Sequence, residues 1–153
     1  MGSIKRDNES AAFNACIGRL MTALLLTFLA TSSRADDTQR FDGKWATTVS
    51  CKTAKNAAGS SVRFVTEVKD GVLSGQQGTE GAPGFLRIDG KVTPDGIGRI
   101  YAKGRTGSNE SVAERDIPAG TEYAYYIQAH FERATGSGNR VEGRACAFKF
   151  EKR

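Results

Sequence analysis

Few side chains in this 153-residue chain stand in an arrangement that does covalent chemistry. The single histidine, His130, lies in the run YAYYIQAHFER. A general base needs a partner placed within hydrogen-bond reach. The alternation of that run turns His130 outward beside Gln128 and Glu132, so it reads as a solvated surface residue. No serine sits in a nucleophile-elbow setting. Acid pairs occur at Glu110 and Glu114, and at Glu114 and Asp116, inside the loop-like stretch Thr106–Thr121. Two carboxylates hydrolyse a glycosidic bond only at a fixed separation across a cleft, and in such a stretch they read first as solvated charge. GQQG, GTEG and GSG are not phosphate loops, because no strand–loop–helix context surrounds them. The chain therefore reads as a non-enzyme, with a carboxylate-dependent hydrolase as the remaining catalytic alternative.

The cysteines carry a different chemistry. Cys51 closes the stretch FDGKWATTVSC and Cys146 sits in RACAFKF. An isolated pair in an exported chain reads as a disulfide, with two buried thiols as the alternative. A metal site needs further ligands at suitable spacing. His130 stands alone, so no metal and no cofactor is expected. The third cysteine, Cys16, precedes Leu20–Ala30, an uncharged run shorter than the roughly 20 residues that span a bilayer as a helix. Lys5, Arg6 and Arg19 lie before that run, and the small residues Ser33 and Ala35 follow it. This is the pattern of a secretory signal cut between Ala35 and Asp36. Residues 1–35 are then the signal peptide. Residues 36–153 are a single domain without a transmembrane anchor, periplasmic or secreted.

Binding chemistry is concentrated in two sets of residues. Arg99, Tyr101, Lys103 and Arg105 share one side of RIYAKGR, and Arg87 and Lys91 share one side of the neighbouring FLRIDGKV. Cations interleaved with an aromatic suit an anionic glycan, a lipid headgroup or an acidic protein. The same residues also keep sheet edges from associating. The net charge of +5 is spread along the chain, unlike the clustered footprint of a nucleic-acid binder, so no nucleic-acid partner is expected. The second set points the other way: Trp45, Phe64, Tyr123, Tyr125, Phe131 and Phe148 fall on inward parities. They either fill a core or line a ligand cavity. Buried tyrosine hydroxyls need partners, so Tyr123 and Tyr125 mark a polar mouth at one end.

The elements that position these residues are strands. Period-two alternation recurs in Trp45–Cys51, SSVRFVTEVK, FLRIDGKV, YAYYIQAHFER and RACAFKF, each with one buried face. Asp70-Gly71 is a two-residue hairpin signal, and Pro94-Asp95-Gly96 is a turn. Gly78–Gly84 and Ala134–Asn139 read as loops. About seven or eight strands in sequential hairpins predict an all-β fold, a small antiparallel up-and-down barrel or a sandwich. Cys51 shares the parity of Trp45, Thr47 and Val49, and Cys146 that of Phe148 and Phe150. The bridge therefore joins two inward rows of the first and last strands. If those strands are antiparallel neighbours, Val49 faces Phe148, Thr47 faces Phe150, and a barrel closes. With an odd strand count they run parallel, and the bridge staples two sheets.

Gly43-Lys44-Trp45 at the head of the first strand resembles the Gly-x-Trp start of the calycin barrels, the lipocalins and avidins. In that group the Trp caps the closed end and a basic residue of the last strand packs on it. The resemblance implies Lys152 or Arg153 for that place and assigns no ligand residue. Over most of residues 36–153, from FDGKW through GAPGFLRIDGKV to RACAFKF, the chain is also similar to small exported bacterial β-rich modules of unassigned function. That implies a periplasmic or secreted bacterial protein and no activity.

The expected function is that of an exported, non-catalytic interaction module. It would bind a protein partner or an anionic envelope component through rim loops or the basic strand face. The alternative is a carrier of a small apolar ligand inside the barrel.

Overall fold

The computed structural model describes residues 39–54, 58–107 and 117–153. Residues 1–35, expected to be a signal peptide, and the acids Glu110, Glu114 and Asp116 lie outside the described residues. Eight strands run in sequence: β1 Gly43–Cys51, β2 Ser60–Lys69, β3 Val72–Gln77, β4 Leu86–Val92, β5 Ile97–Arg105, β6 Glu122–Phe131, β7 Thr135–Arg140 and β8 Cys146–Lys152. Each pairs with its sequence neighbour, and β8 returns to β1, giving a closed up-and-down antiparallel barrel rather than a sandwich. Among the described residues no helix is long and apolar enough to cross a membrane.

The closing seam has the register set by the cysteines. β1 and β8 are antiparallel, with Cys51 opposite Cys146, Val49 opposite Phe148, Thr47 opposite Phe150 and Trp45 opposite Lys152. Cys51 and Cys146 are bonded, with their Cα atoms 4.0 Å apart and 95 positions apart in sequence. Closure depends on an even strand count, and the strand that makes it even is β7. The segment Ala134–Asn139, expected to be a loop, contributes most of this strand. Its residues TGSGNR carry no apolar alternation. They form a strand because β6 and β8 offer free edges on either side.

The inward parities hold throughout. Trp45, Phe131, Phe148 and Phe150 are at most 2% exposed, with Phe64, Val68, Leu73, Ile88, Ile100 and Ile127 packed among them. An eight-stranded barrel is just wide enough for side chains to fill, and here small residues make the room. A Cβ on Gly98 would lie 2.9 Å from the Phe131 ring, and one on Gly136 would lie 3.0 Å from it. Phe131 meets Trp45 edge-on at 5.3 Å and Phe150 at 4.7 Å between centroids. Phe41, from the turn before β1, plugs this end and is fully buried against Phe131. The Trp45 indole N–H donates to the Phe41 carbonyl at 2.9 Å. Lys152, not Arg153, covers the Trp45 ring at 5.6 Å and donates to the Arg40 carbonyl at 3.0 Å. One end of the barrel is thus shut by aromatic packing.

The Thr47 and Thr66 hydroxyls are buried in this apolar interior and bond each other at 2.8 Å. A hydroxyl left without a partner there costs about 1–3 kcal/mol, while replacing both by apolar groups of equal shape is nearly neutral. Thr47→Val alone is expected to destabilise by about 1–3 kcal/mol. Thr47→Val with Thr66→Val should recover most of that loss in urea unfolding, and an additive double mutant would refute the pairing. A second expectation concerns the bridge. For a loop of this length the chain-entropy model gives about 4–5 kcal/mol. Cys51→Ala with Cys146→Ala should lower the unfolding midpoint accordingly and retain the β circular-dichroism spectrum, because the β1–β8 ladder remains.

Candidate functional site

At the other end the packing stops short. The Cys51 end of β1 and the adjoining ends of the other seven strands surround a mouth of about 450 Å³. Val49, Val62, Leu86 and the Cys51–Cys146 bridge form its apolar lining, and Tyr123, Tyr125, Arg105, Arg140 and Arg144 supply polar groups beside Ser60, Gln77 and Thr106. Small-molecule sites typically span roughly 300–1,000 Å³ with an apolar lining and a few convergent polar groups. Two larger depressions, of about 520 and 980 Å³, lie on the outer strand faces and are more open to solvent.

The mouth is positioned by strand parity. Tyr123 and Tyr125 are the inward residues at the start of β6, and their rings stack at 5.9 Å. Tyr123 lies flat across Gly104 of β5, where a Cβ would come within 2.5 Å of its hydroxyl. Arg140 is the last inward residue of β7, following Gly136 and Gly138. Its guanidinium carbon sits 4.2 Å from the centroid of the Tyr125 ring, a cation–π contact that fixes the plane of the fork. Arg144 is held by backbone carbonyls of the β1–β2 connection, its Nε donating to Lys52 at 2.8 Å and Nη2 donating to Ala58. Arg105 donates to the Gly120 carbonyl at 3.0 Å and to Glu122 at 2.5 Å.

Burial shapes the titration of these groups. Burial and then the neighbouring Tyr123 push the Tyr125 phenol up to about 12, with Arg140 and Arg144 pulling the other way. Burial raises Tyr123 too, against the same two arginines. Arg144 is lowered, first by its own burial and second by the charge of Arg140. Both tyrosines therefore remain neutral hydrogen-bonding groups at physiological pH.

The six inward aromatics expected to fill a core or line a cavity divide between those roles. Trp45, Phe64, Phe131 and Phe148 belong to the packed core and do not line the mouth, whereas Tyr123 and Tyr125 do. Arg140 and Arg144 escaped the sequence reading. The signal for Arg140 was parity with Gly136 and Gly138, hidden because that stretch read as a loop. Arg144 lies beyond any strand period. The six residues of the expected basic face do share the outside of β4 and β5, where Arg87 opposes Lys103 and Lys91 opposes Arg99. Much of that charge is met locally. Arg87 is bonded to Asp89 at 2.7 Å, Lys103 lies 3.9 Å from Glu80, and Arg105 is paired with Glu122. Lys91 and Arg99 have no acid partner among the described residues. Tyr101 and the outward Tyr126 form a tilted, solvent-facing pair at 5.3 Å. His130 is exposed on β6, as its parity requires.

Comparison with protein-family models, with curated proteins and with solved structures finds no match for this chain.

The buried phenols can be checked in alkali. A folded-state value raised above the ordinary 10.0 means that Tyr125 stabilises the fold fully below pH 10. That stabilisation is lost as pH climbs toward 12, because between these limits the unfolded chain holds fewer protons than the native one. Phenolate absorbance should therefore show a late component near pH 12 that Tyr125→Phe removes. Ionisation of every tyrosine together near pH 10 would refute the burial described.

Proposed function

We propose that this protein is an exported, non-catalytic binding barrel that takes a small ligand at its open mouth. The observation that carries this reading is the contrast between the two ends. Phe41, Trp45, Phe131 and Phe150 are at most 1% exposed at one end, and about 450 Å³ stands at the other, between apolar side chains and a rim of tyrosine and arginine. A barrel of this size holds either a solid core or one small ligand, and this one divides its length between the two. Export is supported by the uncharged run Leu20–Ala30 followed by Ser33 and Ala35. The Cys51–Cys146 bridge, which persists in oxidising compartments, supports it too. The reading places the protein in the periplasm or outside the cell, in keeping with its likeness to exported bacterial modules and to the calycin barrels.

A second reading keeps the outer face of β4–β6 as a docking surface for a protein or an anionic envelope component. Lys91 and Arg99, without acid partners among the described residues, flank the exposed Tyr101–Tyr126 pair there. The mouth is preferred because it is the more enclosed of the two and its polar groups converge.

Native mass spectrometry of protein purified from a periplasmic extract separates the two readings. A retained small molecule that is lost in Val62→Phe, which narrows the mouth, supports the first. A retained protein lost in Tyr126→Ala supports the second. A bare chain that also fails to bind apolar fluorescent probes would refute the mouth as a binding site.

A further inference from the structure

The mouth holds an imbalance that points to its ligand. Among the described residues, three arginines line it and no aspartate or glutamate does. Arg105 is neutralised by Glu122 at 2.5 Å. Arg144 spends hydrogen-bond donors on the carbonyls of Lys52 and Ala58, which orient it without offsetting its charge. Arg140 has no acid partner among the described residues, and its Nε is buried without any hydrogen-bond acceptor. A buried donor on a charged group with no acceptor is costly and rare in native structures. The Arg140 aliphatic stem comes off the end of β7, and an exposed conformation would return its fork to water. Instead the guanidinium is laid on the Tyr125 ring and passes close to Gly143, where a Cβ would lie 3.1 Å from Nη2.

A planar fork with a free Nε–H matches the two oxygens of an oxyanion, which it binds by paired, charge-assisted hydrogen bonds. The second cation, Arg144, adds to the positive potential in a site partly shielded from solvent. Tyr123 and Tyr125 remain neutral there, able to donate to the same anion. Below these groups the lining is Val49, Val62 and Leu86, which suits hydrocarbon and offers nothing to a second charge. From this arrangement we infer that the mouth ligand is an amphiphilic anion, its oxyanion head held by Arg140 beside Arg144 and its apolar part resting on Val49, Val62 and Leu86. The inference rests on the mouth being the binding site and adds the chemical class of what it takes.

Four matched probes test it by calorimetry with the full mature protein: decanoate, decyl phosphate, decanol and decyltrimethylammonium. Either acid should bind about tenfold or more tighter than decanol, and the ammonium weakest of all. The acid's advantage should shrink with added salt, as screening requires. Arg140→Gln should reduce the acids to the affinity of decanol and leave decanol unchanged. Arg144→Gln, whose effect is chiefly one of charge, should do so in part and stands in if Arg140→Gln fails to fold. Decanoate against decyl phosphate tells a carboxylate head from a phosphorylated one, and either preference over decanol supports the inference. Equal binding of decanol and both acids would overturn the anion assignment while leaving the mouth as a binding site. No binding of any of the four would overturn both.

Discussion

The ladder between β1 and β8, with Cys51 bonded to Cys146 at its upper end, turns an eight-stranded meander into a barrel. Without that seam the sheet would present two open edges, each a template for pairing with another chain. With it, every strand has two neighbours, and the inward row of each strand is committed to one enclosed space. Register matters more here than in an open sheet. A slip of one residue between β1 and β8 would turn Trp45, Thr47 and Val49 outward together. The covalent bond between directly opposed residues excludes that slip.

Enclosure then imposes a problem of volume. The row from Trp45 through Phe131 to Phe150 is too bulky for a narrow barrel unless facing positions are small, and Gly98 and Gly136 meet that need. The crowding is graded along the axis. Near β1's start, aromatic rings, Phe41 and Lys152 close the space. Toward Cys51 the inward side chains shorten to Val49 and Val62, and space opens. Polar groups follow the same gradient. Deep in the barrel they occur as the satisfied Thr47–Thr66 pair, and at the mouth as arginines and tyrosines with unused hydrogen-bonding capacity. Chain geometry thus separates the tightly packed end of the molecule from the end left open.

How much of this could be read from the sequence differs element by element. Strands with one apolar face announced themselves, and the shared parity of each cysteine with its row was enough to anticipate Val49 opposite Phe148 and Thr47 opposite Phe150. β7 was missed because TGSGNR buries backbone and glycine rather than large side chains, so it has no hydrophobic period to detect. That omission also concealed Arg140. Phe41 was overlooked as a plug because it precedes the strand, where parity no longer assigns a face. The basic outer face was recognised from alternation along two neighbouring runs, but its compensation was not. Arg87 and Asp89 share one face of β4 two positions apart, so parity allowed that pairing without asserting it, whereas the contact of Lys103 with Glu80 reaches beyond the sheet, which parity does not encode.

The placement of the chain's single tryptophan has a practical consequence. Trp45 is wholly buried, bonded to Phe41 and ringed by Phe131 and Lys152, at the end of the barrel remote from the mouth. Its emission therefore reports whether the barrel is intact, whereas the stacked Tyr123 and Tyr125 stand at the open mouth. The lone indole thus gives the closed end an optical signal of its own, and melting can be followed without attaching a dye.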